Sequence, residues 1–422
     1  MMMYHYLGKE QRVYYEHLDN GLKVFILPNK NVAKFHIEIV TKYGSEIART
    51  KLLDSNKYID IPAGTAHFLE HKLFDMEEED GISHFAKYGL YTNAGTNYFS
   101  TRFYVDGNKN FKEALSYLLK MVYTPYITNE TVNKEMGIIE EEIKMYDDEA
   151  IWVLDEALRE SLYKNILQEK IAGTVESIHE INSDILNEVY NIFYQPSNMF
   201  LIVSGNVSKK TVLDILQNSE ELNNHITKKD IKYEIKKETS EVLSEYKEIR
   251  WNICIPKVRY ALKFDLNDFK YSDKRLLRFY LDIIFSILFG DGSIFDENVL
   301  EQNIVNYFYL DHFKNDNIYT LDLEAESEYA DLFKEEVDKT LKNIVIKEED
   351  FLRVKKVWLS LMIRCLDNIE MLSNYIINDL LLNDSYIDEK ELIDKLSFND
   401  IKEIIKDLDF SNKSFILMLP KE

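Results

Sequence analysis

At 422 residues the chain is longer than one hydrophobic core usually supports, and 45% apolar with 13% aromatic residues is ample for packed cores, so a globular protein of two or more domains is expected. A formal charge of −23, from 74 acidic against 51 basic residues, disfavours nucleic acid and anionic membrane surfaces and favours cationic or neutral partners. Cys254 and Cys365 are too few and too far apart for a disulfide framework or a thiolate metal site. No apolar run reaches the ~18 residues of a membrane span and the N-terminal stretch lacks a signal-type apolar core, so a cytoplasmic protein is expected.

In chain order, residues 21–27 (GLKVFIL) and 35–43 (FHIEIVTKY) read as strands, with His36 alternating among apolar neighbours as a strand residue. The stretch 44–62 reads as a loop leading into a helix that Ala63-Gly64-Thr65 opens. That helix carries His67-Phe68-Leu69-Glu70-His71. At 100° per residue the two histidines fall one turn apart on one face with Glu70 beside them. Two neutral imidazoles are good zinc ligands, and a carboxylate within reach of a metal-bound water can accept its proton during attack on a carbonyl. The acidic run Glu77-Glu78-Glu79-Asp80 reads as a solvated loop, and SHFAKYG as a short helix ending at Gly89 in which His84 is structural.

Residues 91–105 (YTNAGTNYFSTRFYV) are rich in β-formers and suit a hairpin or edge strand, and 111–123 read as a one-faced helix closed by Pro125. A third ligand is sought in the next helix, residues 131–146. Its apolar stripe is Val132, Met136, Ile139, Ile143 and Tyr146, and three consecutive glutamates each point 100° from the next. Glu142 alone has apolar neighbours at three and four residues on both sides (Ile138, Ile139, Met145, Tyr146), so it is the one expected to face inward as a ligand. Glu135, two turns earlier, either orients a histidine or is a surface glutamate near the helix start.

Further helices are expected at 151–165, after Gly173 and over 182–194, where the preceding His179 is ordinary, followed by a buried strand at 199–204. Residues 208–250 read as a helix at 209–218 running into a linker. A second cycle follows: strands at 252–255 and 259–265, a long apolar helix at 272–290, helices at 329–343, 348–364, 367–382 and 398–407, and a final strand at 413–419. The repeated order predicts an α+β fold of two duplicated αβ domains, each a mainly antiparallel sheet packed with helices: a catalytic zinc-binding domain over 1–225 and a homologous domain without the motif over 226–422.

HFLEH followed 71 residues beyond His71 by Glu142, within KEMGIIEEEIKMYDD, resembles the pitrilysin/insulinase family of inverted zincins, as do PAGTAHFLEHKLF, NAGTNYFSTRF, IAGTVESI and YQPSNMFLIVSGNV in order. HFLEHKLF and IAGTVESI look most like its short bacterial, processing-peptidase-like branch. The resemblance implies Zn2+ held by His67, His71 and Glu142, Glu70 as general base, and Glu135 as the family's upstream acidic residue. It also implies that Asn93, Ala94 and Thr96 lie on an edge strand that receives the substrate backbone, and that Tyr307 contacts substrate from the second half. The arginine that often accompanies that tyrosine is missing from FGDGSIFDENVLEQNIVNYFY. The family's chamber is built from four such domains, so a dimer is implied. The missing arginine favours a heterodimer with a related subunit over a homodimer. The resulting expectation is a zinc endopeptidase that cleaves peptides or unfolded segments by Glu70-assisted attack of zinc-bound water. The alternative is a non-catalytic peptide-binding or assembly subunit of the same fold.

Overall fold

The computed structural model describes residues 2–6, 9–51, 57–165, 167, 169–225, 230–383, 385 and 389–421. Two sheets organise the chain. The first contains β1 (Met2–Tyr6), β2 (Lys9–His17), β3 (Lys23–Pro28), β4 (Phe35–Thr41), β7 (Tyr91–Thr96), β8 (Thr101–Gly107) and β9 (Met199–Gly205). Their order is β1-β2-β3-β9-β4-β8-β7, antiparallel except for the β3–β9 pair. Two short strands, β5 (Arg49–Lys51) and β6 (Tyr58–Asp60), pair within the stretch expected to be a loop; residues 52–56 of it lie outside the described residues.

The second sheet contains β10 (Tyr246–Trp251), β11 (Lys257–Asp265), β12 (Tyr307–Asn315), β13 (Ile318–Glu326) and β14 (Lys413–Pro420) in the order β10-β14-β11-β13-β12. Strand for strand this repeats β3-β9-β4-β8-β7, down to the single parallel pair, β10 with β14. The duplication read from the sequence is therefore present in hydrogen-bond topology. Residues 252–255 are not a strand; their role falls to Tyr246–Trp251, whose sequence YKEIRW alternates exposed and half-buried as an edge strand does and so read as linker.

A single cut near residue 225 does not describe the compact units. One unit comprises residues 1–144, 170–235 and 363–381, the other 145–169, 236–362 and 382–422. Each half of the chain thus lends one helical segment to the other half's sheet, for a chemical reason visible in each unit. In the first, one sheet face presents Arg102 and Ser204. Arg102 donates to Asn374 Oδ1 (3.1 Å) and Asn378 Oδ1 (2.8 Å) of the helix Ile369–Asn383, and Ser204 Oγ meets Ser373 Oγ at 3.0 Å. In the second, Lys263 of β11, fully buried, donates to Leu162 O (2.6 Å) and Glu238 (2.9 Å), and Tyr163 Oη bonds Thr320 Oγ1 at 2.9 Å. Among the described residues no helix is long and apolar enough to cross a membrane.

Candidate metal centre

The motif helix α1 (Thr65–Phe74) is set in place by two Ala-Gly-Thr loops that touch. Gly64 caps α1 at φ +90°, and Gly173, at φ +76°, precedes the helical turn Val175–Ile178. A Cβ on Gly64 would lie 2.5 Å from Ala172 O, and one on Gly173 would lie 2.6 Å from Ala63 O, so the approach requires glycine on both sides. Ser177 Oγ then donates to Ala63 O at 2.9 Å. Past this anchor α1 buries Ala66, Phe68, Leu69 and Leu73, which leaves His67, Glu70 and His71 on the flank opposed to another helix. Lys72, fully buried, closes the far end by pairing with Asp75 at 2.5 Å.

Of the helices that follow, α2 (Gly81–Lys87) and α3 (Phe111–Tyr123) pack beside the sheet, and α4 (Asn129–Asp148) runs opposite α1. His67 and His71 have ring centroids 4.7 Å apart, and their Nε2 atoms lie 3.7 and 3.3 Å from Glu142 Oε2. Tetrahedral zinc with ligands at about 2.0–2.2 Å holds donor atoms roughly 3.3 Å from one another. The three donor atoms all lie within 4.8 Å of each other, so two imidazoles and a carboxylate at this spacing fit zinc. His71 Nδ1 donates to Glu135 Oε1 at 2.9 Å, which fixes the ring and leaves Nε2 for a ligand bond. His67 Nδ1 is buried with no hydrogen-bond partner among the described residues, so packing alone orients that ring.

The two rings respond to their surroundings in opposite directions. Burial, helped by the neighbouring His71, pushes His67 down to about 4, the neutral form a metal needs. Burial also opposes charge on His71, but hydrogen bonds to Glu135 and Glu142 outweigh it and raise that ring to about 10. Burial pushes the Glu70 carboxyl up, offset in part by a hydrogen bond from Thr96 Oγ1, 2.6 Å from Glu70 Oε2.

The three glutamates of α4 meet different surroundings. Val132, Ile139 and Ile143 are buried, yet Ile138 is 50% and Met145 is 49% exposed, so those two neighbours of Glu142 do not draw it into a core. Glu142 stands at the edge of the stripe facing α1. Glu141 pairs with Lys144 at 2.6 Å, and Glu140 meets His179 Nε2 at 2.8 Å. Glu135 is buried, not on the surface.

β7 is the outer strand of its sheet and packs along α1 and α2. Asn93, Ala94 and Thr96 all lie on it, but alternation divides them: Ala94 and Thr96 face the α1 side while Asn93 faces the other. Asn93 Oδ1 accepts the Ala94 N–H at 2.9 Å, which places that N–H, and by alternation that of Thr92, along the free edge, while the Thr96 N–H bonds the Glu70 carboxylate. Tyr307 opens β12 in the second unit, where its hydroxyl donates to Glu324 Oε1 at 2.9 Å. The sequence marks Gly173 only as the start of a short helix and gives neither it nor Ser177 a part in seating α1; the repeated Ala-Gly-Thr tripeptide was the available signal.

Residues 59–175 match the family described as Insulinase (Peptidase family M16), and residues 180–357 match Peptidase M16 inactive domain. The chain is 31% identical over 416 residues to the uncharacterized zinc protease YmfH of Bacillus subtilis, covering 94% of each protein. In fold it is similar to an M16-like peptidase from Alicyclobacillus acidocaldarius (TM-score 0.90, 23% identity, 97% of this chain and 99% of that one). It is also similar to the periplasmic protease PqqL of Escherichia coli (TM-score 0.76, 18% identity), of which it covers 48% while 98% of its own length is matched.

Proposed function

Because the chain belongs to the insulinase (M16) family of peptidases, we propose that it is a zinc-dependent endopeptidase whose centre is His67, His71 and Glu142 with Glu70 as general base. The observation that carries this reading is the convergence of the two Nε2 atoms on Glu142 Oε2, 3.3 and 3.7 Å away, with Glu70 on the same helix flank. When bound, zinc activates a water molecule and polarises the scissile carbonyl. Glu70 takes the proton of the attacking water and delivers it to the departing amine. Glu135 holds His71 from behind. The outer edge of β7 receives the substrate backbone as an added strand, and Tyr307 meets substrate from the second half.

The substrates on this reading are peptides or unfolded segments enclosed between two subunits, each supplying two domains. A heterodimer with a related chain is the preferred assembly. Support for pairing comes from PqqL, one chain about twice as long as the part this protein matches. Glu70→Gln should retain stoichiometric zinc and lose cleavage by at least about 10²–10⁴-fold, assayed on a peptide library with the chain alone and mixed with candidate partner subunits. Undiminished cleavage by that variant would remove Glu70 from the mechanism, and stoichiometric zinc in a wild-type protein that cuts nothing in either state would leave a non-catalytic peptide-binding subunit.

A further inference from the structure

Three threonines stand in one row across the first sheet. Thr96 of β7 is in register with Thr101 of β8, and Thr101 with Thr41 of β4. Branched side chains suit a strand, but a hydroxyl taken out of water must be bonded. Thr41 and Thr101 are fully buried and spend their protons on main-chain carbonyls, Thr41 on Phe193 O at 2.8 Å and Thr101 on Tyr43 O at 3.0 Å. Thr96 differs: its hydroxyl goes to a side chain, Glu70 Oε2, at 2.6 Å, with Thr101 Oγ1 behind it at 3.4 Å.

A hydroxyl has one proton to give. The Thr96 side chain therefore cannot serve substrate while it serves Glu70, and the Thr96 main-chain N–H is committed to the same carboxylate, so the strand's offer to an incoming peptide lies further along its edge, at Thr92. The same strand that would align substrate is thus tied through Thr96, by its hydroxyl and its main-chain N–H, to the group that would move the proton. A glutamate side chain has three rotatable bonds, and only part of its rotamer space brings an oxygen to the reacting atoms.

Resting on the peptidase reading above, we propose that Thr96 is a positioning residue for Glu70: its hydroxyl holds Oε2 and turns Oε1 toward the attacking water. The bond also couples the edge strand to the base, so a peptide that seats on β7 finds Glu70 already oriented.

The test is the pair Thr96→Val and Thr96→Ser in the full-length, zinc-loaded protein with any partner that activity requires. Valine keeps the branched shape and removes the proton; serine keeps the proton. The expected result for Thr96→Val is unchanged zinc content and melting temperature, KM within about twofold, and kcat lowered about 10- to 100-fold, with Thr96→Ser close to wild type. Crystal structures of wild type and Thr96→Val should show Glu70 Oε2 displaced from its position in the variant. A rise in KM at constant kcat would make Thr96 a substrate contact instead and overturn the proposal, as would a serine variant as impaired as the valine. If the wild-type protein carries zinc yet cleaves nothing, the peptidase reading fails separately; an unchanged Glu70 rotamer in Thr96→Val overturns the positioning role in that case too.

Discussion

Glu140, Glu141 and Glu142 share one chemistry and meet three fates, because a helix turns 100° per residue and only one flank of α4 faces α1. Such spacing puts His67, Glu70 and His71 on one flank of a helix from the sequence alone, whereas the choice of Glu142 leaned on its apolar neighbours. The environment of each was not readable: the exposure of Ile138 and Met145 depends on what covers α4, which is a tertiary fact. His36 shows the same limit. It alternates as an ordinary strand residue, yet it is buried between Asp106 (2.8 Å) and Glu38 (3.1 Å). Burial opposes its charge, but the two carboxylates overcome that and raise its pKa from 6.5 to about 9. The folded protein therefore binds this proton more tightly than the unfolded chain does, a stabilisation on the order of 3 kcal/mol that is fully present below pH 6.5 and lost as pH rises through about 9. The urea midpoint of the wild type should fall between about pH 7 and 9.5 by more than that of His36→Asn. Equal slopes for the two proteins over that window would show that His36 does not carry the effect.

At the level of elements, long one-faced helices and apolar strands were legible, and short or polar ones were not. The helices Ala330–Lys342 and Ile369–Asn383 lie within a residue or two of expectation, as do β11 and β14. The outer strand β10 and the N-terminal strands β1 and β2 escaped because their sequences lack a clean apolar alternation, whereas β13 has one, Tyr319, Leu321, Leu323 and Ala325 against Thr320, Asp322 and Glu324, and its hairpin with β12 was legible but missed. The contact between the two Ala-Gly-Thr loops also escaped, since nothing local says that two tripeptides more than a hundred residues apart will touch. It is nevertheless what places the first turn of α1. Gly173→Ala would put a side chain at φ +76° with its Cβ 2.6 Å from the main-chain oxygen of Ala63 and 2.7 Å from Ser177 Oγ, and the main-chain contact cannot yield. The left-handed conformation alone costs about 1–2 kcal/mol for a non-glycine residue, and the clash adds to it. The expected outcome is a melting temperature lower by several degrees and weaker zinc retention against a competing chelator, although Gly173 touches no ligand. The control is Gly89→Ala, also at positive φ (+66°) but with open space around its Cβ, which should cost stability without loosening zinc.

At the scale of the whole molecule, the features to account for are the duplication and the net charge. The two sheets share one topology, but only the first half carries the histidine pair. The reciprocal exchange of segments 145–169 and 363–381 could not be foreseen from sequence order, which treats neighbours in the chain as neighbours in space. The charge of −23 is legible at once and has a measurable consequence. The first unit has a cleft of about 830 Å³ lined by Glu77, Glu78, Glu79, Glu113, Asp214 and Glu221 against Lys112, Lys120 and His84, with His84 paired to both Glu79 and Glu113 and Lys87 paired to Glu79. A field of this sign gathers cationic chains, and low-dielectric walls focus it. Salt removes it, since the screening length falls from roughly 14 Å at 0.05 M to about 6 Å at 0.3 M. Two peptides with one cleavage sequence, flanked by lysines in one case and glutamines in the other, should therefore diverge. KM for the lysine-flanked peptide should rise several-fold between 0.05 and 0.3 M salt while that for the glutamine-flanked peptide stays nearly constant, with kcat little changed for either. A KM that moves equally for both peptides would mean that salt acts on the protein's assembly, and that the acidic surface serves solubility alone.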